Sequence, residues 1–166
     1  PLVIEDALKV GVTRDQKIID TCLRLLKQQI IEVDFKTWFE LPCKGEHTAK
    51  AQLQRAGHIL GSAYVEIDIN LPTRKAKNSH RVVFSGDLGA PYTPLLPAPK
   101  APYKADTLVI ESTYGDKNHQ GRKQRTQILK AVIERAVADN GIVLVPAFSI
   151  GRTQELLYEL EQLIHA

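Results

Sequence analysis

The chain has 166 residues, 43% of them hydrophobic and 25% charged, with a formal net charge of +3. This is ordinary globular composition, long enough for a domain with a real core, and no apolar run approaches the roughly 20 residues needed to span a bilayer. No basic, apolar leader opens the chain, and Cys22 and Cys43 make neither a CxxC unit nor a disulfide framework. The expectation is a cytoplasmic protein with reduced thiols and no membrane partner. Basic residues cluster at Arg74–Arg81 and Lys117–Arg125. They permit an anionic partner, but solvated loop or helix faces are the commoner reason for such runs, so charge alone does not define a nucleic-acid protein.

In chain order, Thr13-Arg14-Asp15-Gln16 has the form of a capping box, with the Thr13 hydroxyl and the Gln16 amide satisfying each other's orphan backbone donors. Behind it Ile18, Ile19, Cys22, Leu23, Leu26 and Ile30 fall on one helical stripe. Two strand-like stretches follow, near Val33–Leu41 and Ala49–Arg55. Val65, Ile67, Ile69 and Leu71 then alternate with Glu66, Asp68 and Asn70, which predicts a strand with one wet face. The polar stretch Arg74–His80 reads as a hairpin loop leading into Arg81–Phe84. Five prolines between Pro91 and Pro102 require an extended surface segment.

Thr107–Ile110 and Ile142–Val145 are short apolar runs that suit strands buried on both faces. Between them Ile128, Leu129, Val132, Ile133, Ala136 and Val137 mark a helix stopping at Asn140-Gly141, a natural C-terminal cap. A last helix carries Leu156, Leu157, Leu160, Leu163 and Ile164. The strand–helix–strand–helix order from Thr107 onward is α/β architecture.

Four blocks could carry chemistry. His58 lies in Ala56-Gly57-His58-Ile59-Leu60-Gly61-Ser62-Ala63, where small residues let a tight, fixed loop form around an imidazole. A metal–nitrogen bond of about 2.0–2.1 Å tolerates little misplacement, so such a loop suits a ligand. Asp87 follows an apolar run in Ser85-Gly86-Asp87-Leu88-Gly89. A carboxylate there can bridge two cations, although an aspartate hydrogen-bonding its own turn has the same sequence. Glu111 ends the run Thr107–Ile110, where a carboxylate needs a partner. It could orient a metal-bound histidine or serve a helix N-terminus. Ser149 and Arg152 precede the last helix, whose free N–H groups and dipole could hold a phosphate, unless Ser149 is simply its cap.

Taken in order, Ala-Gly-His-Ile-Leu-Gly-Ser-Ala, Phe-Ser-Gly-Asp-Leu-Gly, Glu-Ser-Thr-Tyr-Gly-Asp and Pro-Ala-Phe-Ser-Ile-Gly-Arg-Thr-Gln-Glu-Leu-Leu resemble the β-CASP branch of the metallo-β-lactamase superfamily. These are nucleases that process RNA or repair DNA. The resemblance is clear from His58 onward and weaker before it. It implies a partial metallo-β-lactamase αββα sandwich, a mixed β-sheet with flanking helices, over residues 1–112, running into the start of a β-CASP α/β domain over 113–166. It further implies that His58 is a zinc ligand, that Asp87 is catalytic and bridges two zincs, and that Glu111 supports a catalytic-site histidine. The wording around Glu111 looks more like the RNA-processing members than the DNA-repair ones.

One departure is large. The signature His-x-His-x-Asp-His is absent, because only His47, His58, His80, His119 and His165 exist and no two are two residues apart. The expectation is therefore an internal piece of a longer zinc-dependent phosphodiesterase acting on RNA, or alternatively on DNA. The parent would hold two zinc ions, whereas this chain would hold no stable dinuclear site and show little or no activity. Homo-oligomerisation is left open. Two rivals remain: another hydrolase of the same fold, such as an esterase or thioesterase, and a non-catalytic scaffold subunit.

Overall fold

In a computed structural model, residues 2–73, 76–117, 121–148 and 150–165 are described. The element order is α1 (Leu2–Gly11), α2 (Gln16–Gln29), β1 (Phe39–Leu41), β2 (Thr48–Arg55), β3 (Ala63–Thr73), β4 (Ala76–Phe84), β5 (Thr107–Val109), α3 (Arg122–Ala138) and α4 (Arg152–Ile164). One five-stranded sheet runs β1-β2-β3-β4-β5, antiparallel throughout except for β5, which lies parallel to β4. This is the mixed sheet with flanking helices that the sequence implies. β3 and β4 continue up to residues 73 and 76, so Ala76–His80, expected in a loop, is strand. Arg74 and Lys75 lie outside the described residues. The basic clusters are therefore only partly described.

The sheet's two faces invert the simple expectation. Gln52, Glu66, Val83 and Leu108 stand opposite one another in a single row across four strands. Glu66 is 2% exposed and Gln52 8% exposed, joined by a hydrogen bond from the Gln52 amide to the Glu66 carboxylate. The next row on that face pairs Lys50, Asp68 and Arg81. There the Arg81 guanidinium grips both Asp68 oxygens, and Trp38 lies over Lys50 and Arg81. The Tyr64 hydroxyl donates to the Lys100 carbonyl of the proline-rich segment. The face predicted to be wet is thus covered, because its polar groups satisfy each other before they are buried. The apolar face with Val65, Ile67 and Ile69 is only half-buried.

Other expectations divide similarly. The cap of α2 is Asp15, whose carboxylate accepts the Lys17 N–H, while Gln16 reaches Asp20 instead of closing a box with Thr13. Among the α2 stripe, Ile19 is fully buried and Ile18 and Ile30 are half-exposed. α3 ends as expected: Asn140 takes φ 50°, and the Gly141 and Asn140 N–H groups donate to the Ala136 and Val137 carbonyls. β5 has no neighbour on its outer edge among the described strands, and Leu108–Ile110 are about half exposed. Ile142–Val145 forms no strand, and Ile142 and Leu144 are 87% and 88% exposed. Neither run is buried on two faces, because no described element covers them. The total accessible surface is 13341 Å². A compact protein of this mass would expose about 8,000 Å².

Candidate half-site for a metal

His58 and Asp87 sit on the loops that follow β2 and β4. Ser62 closes the first loop: its hydroxyl accepts the His58 and Ile59 N–H groups at 3.0 and 3.2 Å, and its carbonyl accepts the Ala56 N–H. The second loop is tied from both sides. The Gly89 N–H donates to the Ala56 carbonyl at 2.8 Å, and the neighbouring Leu88 N–H donates to the Glu111 carboxylate.

Glycine is what lets the loops touch. A Cβ on Gly89 would stand 2.0 Å from the Gly57 oxygen and 2.9 Å from the His58 nitrogen. Gly57 itself has φ +71°, and a Cβ there would stand 2.5 Å from the Pro97 oxygen. Backbone thus packs on backbone, and the side chains of His58 and Asp87 are brought to the same place. His58 Nε2 lies 3.9 Å from Asp87 Oδ2, and both side chains remain open to solvent.

That separation suits two ligands of one ion. Donors at about 2.0–2.2 Å from a tetrahedral zinc lie roughly 3.4 Å apart, so a small side-chain rotation suffices. Two donors fill half of a four-coordinate shell. Among the described residues, no group of three or more His, Cys, Asp or Glu side chains is gathered to hold an ion. His80 Nε2 instead meets the Thr107 hydroxyl across β4 and β5, and His119 lies outside the described residues.

Glu111 reaches the same loop from β5. Its carboxylate accepts the Leu88 N–H and the Thr113 hydroxyl, and its own N–H donates to the Ser85 hydroxyl. The Leu88 N–H above all, then Thr113, holds this carboxyl below the ordinary carboxylate range, with the nearby His58 adding to the effect. The hydroxyls of Ser62, Ser85 and Thr113 hold these loops, and each sits inside a block singled out for its neighbour. The available signal was that a hydroxyl among glycines can satisfy loop amides.

Arg152 opens α4 and pairs with Glu155 at 2.8 Å. The N-cap is Gly151, φ 91°, whose N–H donates to the Gln154 side chain at 2.7 Å. Ser149 lies outside the described residues, and the capping position considered for it belongs to Gly151. The start of α4 is close to the histidine loop, since a Cβ on Gly151 would stand 2.7 Å from Ile59 Cγ2.

A five-stranded mixed sheet with flanking helices, its strand-end loops presenting a histidine beside an aspartate, fits a partial metallo-β-lactamase fold. No protein-family model matches the chain. The chain is 35% identical over 106 residues to a ribonuclease of Thermus thermophilus, covering 64% of the chain and 23% of that protein. It is 31% identical over 166 residues to cleavage and polyadenylation specificity factor subunit 3 of Dictyostelium discoideum, covering 97% of the chain and 20% of that protein. Over 113 residues it is 37% identical to the transcription termination factor FttA of Pyrococcus horikoshii, covering 66% of the chain and 16% of that protein. The chain belongs to the β-CASP branch of the metallo-β-lactamase superfamily. It spans about a fifth of the length of these relatives. No described helix is long and apolar enough to cross a membrane.

Proposed function

We propose that the protein carrying this segment is a zinc-dependent nuclease that processes RNA in the cytoplasm, and that His58 and Asp87 are two ligands of its two-metal centre. The observation that carries this reading is the 3.9 Å approach of His58 Nε2 to Asp87 Oδ2 on two interlocked strand-end loops. The names of the ribonuclease and the cleavage factor among its relatives support RNA as substrate.

When bound, two zinc ions would supply the Lewis acidity that offsets charge developing on the phosphodiester. In this reading His58 would hold zinc through its imidazole, and the Asp87 carboxylate would hold it as the second ligand from this chain. Glu111 holds the Asp87 loop through Leu88, leaving its bonding to a further histidine for the rest of the parent protein. Arg152, at the start of α4 near Ile59, would contact substrate phosphate, and Ser149 is proposed from the sequence alone as a second phosphate contact. Residues 1–112 would belong to the metallo-β-lactamase-like domain and 113–166 to the β-CASP-like domain.

The test is labelled RNA, with thioester substrates in parallel, given to the full-length protein and its Asp87→Ala variant. RNA cleavage should fall by more than about a hundredfold in the variant, since even residues that only support metal ligands cost 10- to 100-fold. Thioester hydrolysis with intact RNA would refute the reading in favour of the esterase-type rival. Inertness toward every substrate would favour a scaffold. On the 166-residue chain, calorimetry should detect no pair of tight zinc sites.

A further inference from the structure

We propose that Ser85 and Thr113 are positioning residues, which hold Glu111 against the Leu88 amide and thereby fix the direction in which Asp87 is presented. The inference rests on the reading of Asp87 as a metal ligand only for its functional meaning, since the geometry stands by itself. Ser85 is 4% exposed, at the end of β4, and its N–H donates to the Val109 carbonyl at 2.9 Å. Its hydroxyl donates to the Gly86 carbonyl at 2.7 Å and accepts the Glu111 N–H at 3.0 Å. Glu111 returns to the same loop three residues later, where its carboxylate accepts the Leu88 N–H.

Asp87 therefore lies inside a ring. The chain from Ser85 to Leu88 forms one side, Glu111 the other, and two hydrogen bonds close it. The Thr113 hydroxyl, donating to the second Glu111 oxygen at 2.8 Å, fixes the carboxylate's rotation so that the first oxygen faces Leu88. The ring restricts the backbone freedom that Gly86, at φ +53°, gives this loop. The side chain of Asp87 is mostly in solvent, so little packing directs it. A metal site needs its ligands held to within about 0.5 Å, and the ring and the Gly89–Ala56 bond together supply that constraint.

The experiment is amide hydrogen exchange, residue by residue, on the uniformly labelled 166-residue chain and its Ser85→Ala and Thr113→Val variants. Thr113 is exposed, so its variant keeps the fold even if the buried Ser85 variant does not. Loss of support for a charge-assisted bond should speed exchange at Leu88 about tenfold or more, with β3 amides unchanged. Ser85→Thr, which retains a hydroxyl, should restore the slow exchange. Unchanged exchange at Leu88 in Thr113→Val would overturn the proposal. So would equal acceleration at Leu88 and throughout β3, which marks general loosening. Failure of the metal reading is seen separately, as full-length Asp87→Ala protein that binds zinc and cuts RNA normally.

Discussion

Gly89→Ala is the sharpest perturbation of the junction between the histidine and aspartate loops. The added methyl would overlap the Gly57 carbonyl carbon at 2.2 Å and its oxygen at 2.0 Å, and neither is the end of a flexible side chain. Relief requires the two loops to part, which stretches the 2.8 Å bond from the Gly89 N–H to the Ala56 carbonyl. Overpacking costs about 1–3 kcal/mol and a lost hydrogen bond about 0.5–1.5 kcal/mol, so the sum is roughly 2–4 kcal/mol. For a chain of this size each kcal/mol moves Tm by about 2–4 °C, so the fall should be on the order of 5–15 °C. Thermal unfolding followed by circular dichroism measures it, and the His58 ring resonances should shift because its loop moves. Gly11→Ala is the control, since nothing lies within 4 Å of a Cβ there. If Gly89→Ala melts with the wild type and leaves the His58 signals in place, the close approach of the two loops is wrong.

Arg81→Ala should destabilise by about 2–3 kcal/mol in urea titration, because it strips a two-pronged bond from Asp68 on a covered face. Gln52→Ala leaves the buried Glu66 carboxylate without its partner and should cost about 1–3 kcal/mol by the same assay. Asp68, bonded by Arg81, and Asp106, bonded first by the Arg81 N–H and then by Lys104, have their carboxyls held below the ordinary range, as does Glu111. A carboxyl with a depressed native pKa binds its proton more weakly in the folded state. Its stabilisation is therefore complete above the unfolded value near 4 and is lost as pH falls toward the native values. Melting temperature should hold steady from pH 7 to about 5 and then drop, and Asp68→Asn should flatten part of that drop.

How much was legible in the sequence follows from what each signal measures. β3 is local in origin: a period of two specified it, and Val65 to Leu71 and their partners form the longest pairings. What the alternation could not tell was which face would be covered. Polar side chains read as wet until their partners are known, and Gln52–Glu66 and Asp68–Arg81 become partners only through register. Ile142–Val145 reads as a strand from composition, but a strand needs a neighbour, and none of the described elements provides one. Likewise the Asp15 cap lies inside the Thr13–Gln16 pattern, which marks the right place for a helix start but names the wrong side chains for it. At the candidate site, the residue types and their glycines marked His58, Asp87 and Glu111. The hydroxyls of Ser62, Ser85 and Thr113 were hidden because their work depends on which amide the fold places within reach.

The order of the sheet also sets the order in which it can be assembled. β1 to β4 follow one another as antiparallel neighbours, so each pairing closes a short span of chain at small entropic cost. β5 alone must return in parallel across the whole proline-rich segment, meeting β4 through just three residue pairs. Until it docks, Glu111 cannot reach Leu88, and the Asp87 loop is held only from the histidine side. The aspartate side of the His58–Asp87 pair is thus completed by the contact that spans the longest stretch of chain, and in the proposed reading a bound ion would favour the docked form of β5.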